Sequence, residues 1–235
     1  MPVVFLALIA WAASTTVWKG VYTEAQANRG HVAYTKDCSG CHQPMLTGYG
    51  SVLIGEKFMD HWREDNVGSF YHLLKETMPR GAPASLGDRA YLDITAFILQ
   101  ANGFPAGKKE LTLDSLKSIQ IEGENGPMPV PEFALVKTVG CLVHPPGGEW
   151  KLEHASAPQR TRDPHDSTPE ELKDAATLSG SDVVKFLRLA DYDVERFKMA
   201  AQKDHKVEAK GFLMLKDGGK MLNLTSVTTV AGSCP

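Results

Sequence analysis

The stretch that most constrains this chain is Ala-Tyr-Thr-Lys-Asp-Cys-Ser-Gly-Cys-His, residues 33–42. Two cysteines stand three positions apart and a histidine follows the second directly. Three chemistries use such spacing. A redox dithiol of the thioredoxin type places C-x-x-C at a helix start after a strand; here the preceding residues read as helix and no βαβ pattern surrounds them. A structural zinc site needs four ligands, and the remaining cysteines, Cys141 and Cys234, are distant and single. The third chemistry is C-x-x-C-H haem attachment. Two thioethers anchor two edges of the macrocycle, and the next residue swings an imidazole onto the iron. On that reading Cys38 and Cys41 hold one covalently attached haem c, and His42 is the proximal ligand to its iron.

A six-coordinate electron-transfer haem needs a second axial ligand. Met78 lies in Glu-Thr-Met-Pro-Arg-Gly-Ala-Pro, 36 residues after His42 and just before a strong helical pattern. Its proline neighbour resists helix, which suits a loop that carries a sulfur to the far face of the iron. Met45, Met59 and Met128 read as ordinary core packing. His61 and His72 are competing ligands, read instead as surface residues of helices.

Composition narrows the setting. The 235 residues carry a net charge of −3, and 43 % of them are hydrophobic. Residues 24–104 hold nine acids and seven bases and residues 105–235 hold nineteen and seventeen, so each part is near −2. Neither part has the basic footprint of a nucleic-acid binder. An apolar run over residues 3–13, followed by small residues, is too short to span a bilayer and reads as a secretory signal with Ala10-Trp11-Ala12 as its cleavage site. The expected location is therefore periplasmic or secreted, with membrane association only if that N-terminus is retained.

The texture of the chain changes in the middle. Residues 23–37 and 85–103 have helical patterns, the second with Ser85 as the expected cap, Asp88 in its first turn and Gly103 as its stop. Beyond residue 130, five short runs alternate apolar and polar residues, with one helix before the fourth. That pattern fits a small closed barrel of OB type, a β-sandwich being the competing fold. Its aromatics, Phe133, Trp150, Phe186, Tyr192, Phe197 and Phe212, read as core. Cys141 in the first run and Cys234 beyond the last are expected to pair, tying the ends of this part together.

Residues 20–106 resemble a class I cytochrome c domain. The likeness rests on GHVAYTKDCSGCH, LTGYGSVLIGEKFMDHW, TMPRGAPASL and YLDITAFILQANGFPAG. It implies an N-terminal helix crossing the last helix, with Gly30 and Tyr34 facing Tyr91 and Phe97. It further implies Trp62 near a haem propionate; Arg80 is a second candidate for such a contact. Leu46, Leu53, Phe58, Leu73, Leu74 and Ile98 are candidates to line the pocket. One departure stands out: the family usually has a proline ahead of the leucine in the loop after the haem motif, and the proline's carbonyl accepts the proximal histidine's N–H; this chain has Val52-Leu53 there.

The expected architecture is thus multidomain. A signal over 1–19 precedes an all-α class I cytochrome c domain over 20–106, a linker over 107–130 and a mainly-β OB-like barrel domain over 131–235. The expected function is exported single-electron transfer, not enzymatic catalysis. The partners would be redox proteins such as a periplasmic dehydrogenase or a terminal oxidase, or further copies of the chain. Two other classes stay in view: a haem enzyme or gas sensor with a labile sixth ligand, and an OB-type binding module carrying a cytochrome.

Overall fold

The computed structural model describes residues 15–47, 53–216 and 218–234. The chain divides into two compact units, Met1–Met128 and Pro129–Pro235. The secretory reading of residues 3–13 lies outside the described residues, as does Val52.

The first unit contains β1 (Thr15–Thr16), α1 (Glu24–Asp37), α2 (Ser39–His42), α3 (Glu56–Trp62), β2 (Asp65–Asn66), α4 (Val67–Thr77), α5 (Gly87–Ala101) and β3 (Ile119–Ile121). Thr23 caps α1, its side chain accepting from the Gln26 N–H at 3.1 Å, and Glu24 complements the positive helix end. Ala27, Gly30 and Tyr34 recur on one buried face of α1, and Tyr91, Ile94, Ile98 and Leu99 on one buried face of α5. These faces cross. A Cβ at Gly30 would overlap the Asp93 carbonyl, so only glycine admits this approach. Beside it the Tyr34 and Phe97 rings stand 5.2 Å apart, and Arg29 clamps Asp93 with two hydrogen bonds of 2.9 and 3.0 Å.

Helix α5 starts later than its sequence pattern suggests. Leu86, not Ser85, holds the N-cap position and makes no side-chain cap. Asp88 instead receives the Tyr71 hydroxyl at 2.8 Å and the Lys75 ammonium at 2.5 Å from α4. Tertiary partners outbid the local cap, and these two bonds hold the Asp88 carboxyl below its ordinary range. Gly103 ends the helix at φ 84° as expected.

Residues 107–128, read above as a linker, contribute to this unit's core. Leu111, Leu116, Ile119 and Ile121 are buried in it. Gln26 exchanges two hydrogen bonds with the Leu111 backbone, and β3 lies between β1, which it pairs in parallel, and antiparallel β2. Residues 15–19, assigned above to the signal, supply β1 and the fully buried Val17.

The second unit contains β4 (Leu135–Val143), β5 (Lys151–Ala155), β6 (Gln159–Arg160), α6 (Pro169–Ala176), β7 (Asp182–Phe186), α7 (Asp191–Arg196), β8 (Lys206–Lys216) and β9 (Gly219–Ala231). Its six strands run in the order β5-β7-β9-β8-β4-β6, and an added β5–β4 pairing brings distant parts of the sheet together. The core is mainly aliphatic: Val136, Leu142, Leu152, Val184, Val207 and Leu222 are fully buried. Cys141 and Cys234 form a disulfide with Cα atoms 5.6 Å apart. Phe186 and Phe197 are core, but Phe133, Tyr192 and Phe212 are exposed, which corrects their expected placement.

The expected fold class, all-α followed by a β barrel, is corrected. The chain is mixed α/β with two sheets: the first unit carries the three-stranded sheet among its helices, and the second carries α6 and α7 among its strands. The short strands of the first unit, of two or three residues, have too few positions to display alternation.

Candidate functional site

The described residues of the first unit enclose a cavity of about 510 Å³, within the size range of cofactor sites. Its walls come from separate elements. Tyr34, Asp37 and Cys38 line it from the end of α1, Cys41 and His42 from α2, and His61 and Trp62 from α3. Phe70, Leu73 and Leu74 of α4, the Met78–Arg80 turn, Leu53, and Ile94 and Ile98 of α5 complete it.

The way α1 ends places the cysteines. The Cys38 N–H caps the last turn by donating to the Tyr34 carbonyl at 2.8 Å, and the chain turns at once into the single turn of α2. Cys38 is half-buried and Cys41 exposed, and neither is disulfide-bonded. Burial pushes the Cys38 thiol up to about 11, with Asp37 and Cys41 adding to the effect. A redox dithiol works through a depressed thiol, so this environment runs against that use. Beyond α2, the Tyr34 hydroxyl donates to the Gln43 carbonyl at 2.8 Å, anchoring the residue after His42. The Tyr34 phenol is itself pushed up to about 12 by burial, with Cys38 adding a smaller effect.

His42 Nδ1 is buried and has no hydrogen-bond partner among the described residues. A buried ring N–H ordinarily finds an acceptor, and in a ligating histidine this bond orients the ring. Val52, which stands at the position of the family's acceptor, lies outside the described residues.

Met78 arrives from the other side. Its N–H donates to the Leu74 carbonyl at 3.0 Å, closing α4, and its carbonyl accepts the Tyr91 hydroxyl at 2.7 Å. The side chain is half-buried at the cavity wall. Trp62 is 3 % exposed and packs edge-on to Phe70 at 4.9 Å; Arg80 is exposed at the rim. Each of Cys38, Cys41, His42, Met78, Trp62 and Arg80 therefore lines one cavity.

Other expectations fall elsewhere. Of the six lining candidates, Leu53, Leu73, Leu74 and Ile98 reach the cavity, whereas Leu46 and Phe58 sit in the core behind it. Met45 and Met128 are exposed rather than packed. His61 lines the cavity from an exposed position, and His72 is exposed and not part of the wall. Tyr91 was read only as a helix-crossing residue; its bond to Met78 carries no local sequence signal, because the two residues meet only once α4 and α5 pack.

The chemistry of the donor set suits a covalently held haem. Two thiols and an imidazole share one wall, a thioether stands on the Met78 turn, and apolar surface fills the space between. Among the described residues, no group of three or more His, Cys, Asp or Glu side chains is placed to hold a metal ion directly. In the second unit a smaller depression of about 230 Å³ is lined by Gly140, Cys141, His154, Leu178, Ser179, Gly180 and Lys206.

No protein-family model matches the chain, and no curated protein matches it. Among solved structures, it is similar to a chain of the sulfane dehydrogenase SoxCD from Paracoccus pantotrophus. The two are 20 % identical, with 55 % of this chain and 72 % of that one covered at a TM-score of 0.33. A likeness of that size carries no argument. The family resemblance drawn from sequence, a class I c-type cytochrome joined to an OB-like barrel, is accordingly corrected: the chain is mixed α/β with two sheets, and no family model matches it.

Proposed function

We propose that this chain is an exported single-electron carrier holding one haem c through Cys38 and Cys41. The observation that carries the reading is the convergence of Cys38, Cys41, His42 and Met78 on one apolar cavity. Bound there, a haem supplies a reversible one-electron couple at its iron, with no bond made or broken in a substrate.

The residues have distinct tasks. Cys38 and Cys41 fix the group covalently, and the short α2 turn sets the imidazole of His42 beside them. Met78 offers a soft, neutral sulfur, which favours a higher potential than a second imidazole would. Leu53, Leu74, Ile94 and Ile98 exclude water and lower the local dielectric, which tunes the potential. Trp62 and Arg80, which line the same cavity, would hold the propionate groups, Arg80 by charge-assisted hydrogen bonds.

The second unit serves partner docking or assembly. Three exposed aromatics, Phe133, Tyr192 and Phe212, support that reading, since aromatic residues are enriched at protein interfaces. The Cys141–Cys234 disulfide supports export, because such bonds persist in oxidising compartments. The partners in view are redox proteins such as a dehydrogenase or a terminal oxidase.

The test is mass spectrometry of denatured protein produced with a haem-attachment system. The reading expects haem to remain on the wild-type chain through denaturation and to be absent from Cys38→Ser/Cys41→Ser. Wild-type protein that emerges with two free thiols and no haem would refute it.

A further inference from the structure

Met78 and His42 are secured in different ways. His42 follows directly on Cys41, so thioether bonds at the cysteines hold it in place. Met78 has no such tether. Its side chain has three rotatable bonds, so the sulfur reaches only as accurately as its backbone is held. That backbone is fixed at two points: the Met78 N–H on the Leu74 carbonyl of α4, and the Met78 carbonyl under the Tyr91 hydroxyl of α5.

We infer that Tyr91 is the positioning residue for the Met78 sulfur, and that its hydroxyl sets how firmly the sixth site resists other ligands. The inference rests on the reading of Met78 as an axial ligand. Tyr91 is 1 % exposed on the buried face of α5 and stands edge-on to Tyr71 at 6.5 Å, so its ring has little freedom. Without the hydroxyl, the Met78 carbonyl loses this side-chain donor, and the Met78 backbone itself keeps only the N–H bond to Leu74. A donor at this distance contributes about 1 kcal/mol net, which corresponds to roughly a fivefold change in an equilibrium.

Tyr34 supplies an internal comparison. It too is a buried tyrosine whose hydroxyl donates to a backbone carbonyl beside an axial residue, Gln43 after His42. Because His42 is tethered through its neighbour, loss of the Tyr34 hydroxyl leaves axial ligation intact.

The experiment is an imidazole titration of ferric haem-loaded protein, followed through the sulfur-to-iron charge-transfer band, for wild type, Tyr91→Phe and Tyr34→Phe. Circular dichroism checks that each variant is folded. Tyr91→Phe is expected to bind imidazole about fivefold more tightly than wild type and to lose the band earlier; Tyr34→Phe stays within twofold. Replacing Tyr91 by a fluorinated tyrosine, a stronger donor, is expected to shift the affinity the other way. Equal imidazole affinity in wild type and Tyr91→Phe, or an equal shift in both variants, overturns the inference while the ligand reading stands. A wild-type protein with no sulfur-to-iron band overturns both.

Discussion

The two units solve the problem of staying folded in opposite ways. The first leaves a space inside its core: Tyr34, Trp62, Phe70, Leu74 and Ile98 belong to its buried cluster and also line a cavity of about 510 Å³. Atoms facing such a space forgo dispersion contacts. Shape is kept by polar ties between distant residues, among them Arg29 to Asp93, Gln26 to Leu111, Tyr71 to Asp88 and Tyr91 to Met78. The second unit fills its interior with mainly aliphatic side chains and closes with a disulfide. Its long loop is fastened by polar groups, Lys210 Nζ to the His165 carbonyl at 2.8 Å and Ser167 to Glu208 at 2.5 Å. The unit with the open cavity combines packing with ties between distant residues; the unit with the filled interior combines packing with a cross-link.

The largest effect is expected at the helix crossing. Gly30→Val drives a side chain into the Asp93 carbonyl, and overpacking at a rigid backbone should cost the first unit about 3 kcal/mol or more. Its thermal transition should fall or vanish while the transition of the second unit is unchanged. A single shared transition that moves as one would break the division of labour drawn above.

Next comes the cross-link. Cys141 and Cys234 are 93 positions apart, and opening a loop of that length should cost the second unit about 2–4 kcal/mol. Denaturant unfolding of Cys141→Ser/Cys234→Ser, read by unit-specific probes, should show the loss in the second unit alone.

Gln26→Ala should cost the first unit about 2 kcal/mol. It strips partners from both the N–H and the carbonyl of buried Leu111. The measurement also shows whether residues 107–121 unfold with the first unit, as their burial requires. Hydrogen exchange that releases this segment independently would contradict that.

The smallest effect is at Asp88, whose carboxyl is depressed by the Lys75 and Tyr71 bonds. A depressed acid contributes stability that is present above its unfolded value and lost as pH falls through its folded value. Asp88→Asn should therefore be less stable than wild type at neutral pH, and the two should converge as acid titrates Asp88. A difference that persists unchanged in acid would assign the effect to something other than this charge.

Much of the first unit was legible in the chain. The 3.6-residue pattern of α1 and α5, the small residue at their crossing and the Cys-Ser-Gly-Cys-His run are all local signals. So are the alternating runs that became β4, β5, β7, β8 and β9. What escaped notice was what only packing creates. Leu111, Leu116, Ile119 and Ile121 show neither helical nor strand period over a useful window, so the stretch read as a linker. Asp88 looked like part of a helix cap because its partners lie on another helix. Met45 and Met128 looked like core because nothing local tells an exposed methionine from a buried one. The Tyr91 hydroxyl finds Met78 across 13 positions only in the folded unit.

His42 and Met78 are proposed to face one haem iron. The most direct measurement is the optical spectrum of haem-loaded protein, oxidised and reduced, with and without carbon monoxide, beside Met78→Ala. The wild type is expected to be low-spin, with the ferric sulfur-to-iron band and indifferent to carbon monoxide, and the variant to lose the band and bind the gas. A high-spin wild type that shifts with carbon monoxide before any mutation would contradict it, and the chain would then be read as a haem enzyme or gas sensor.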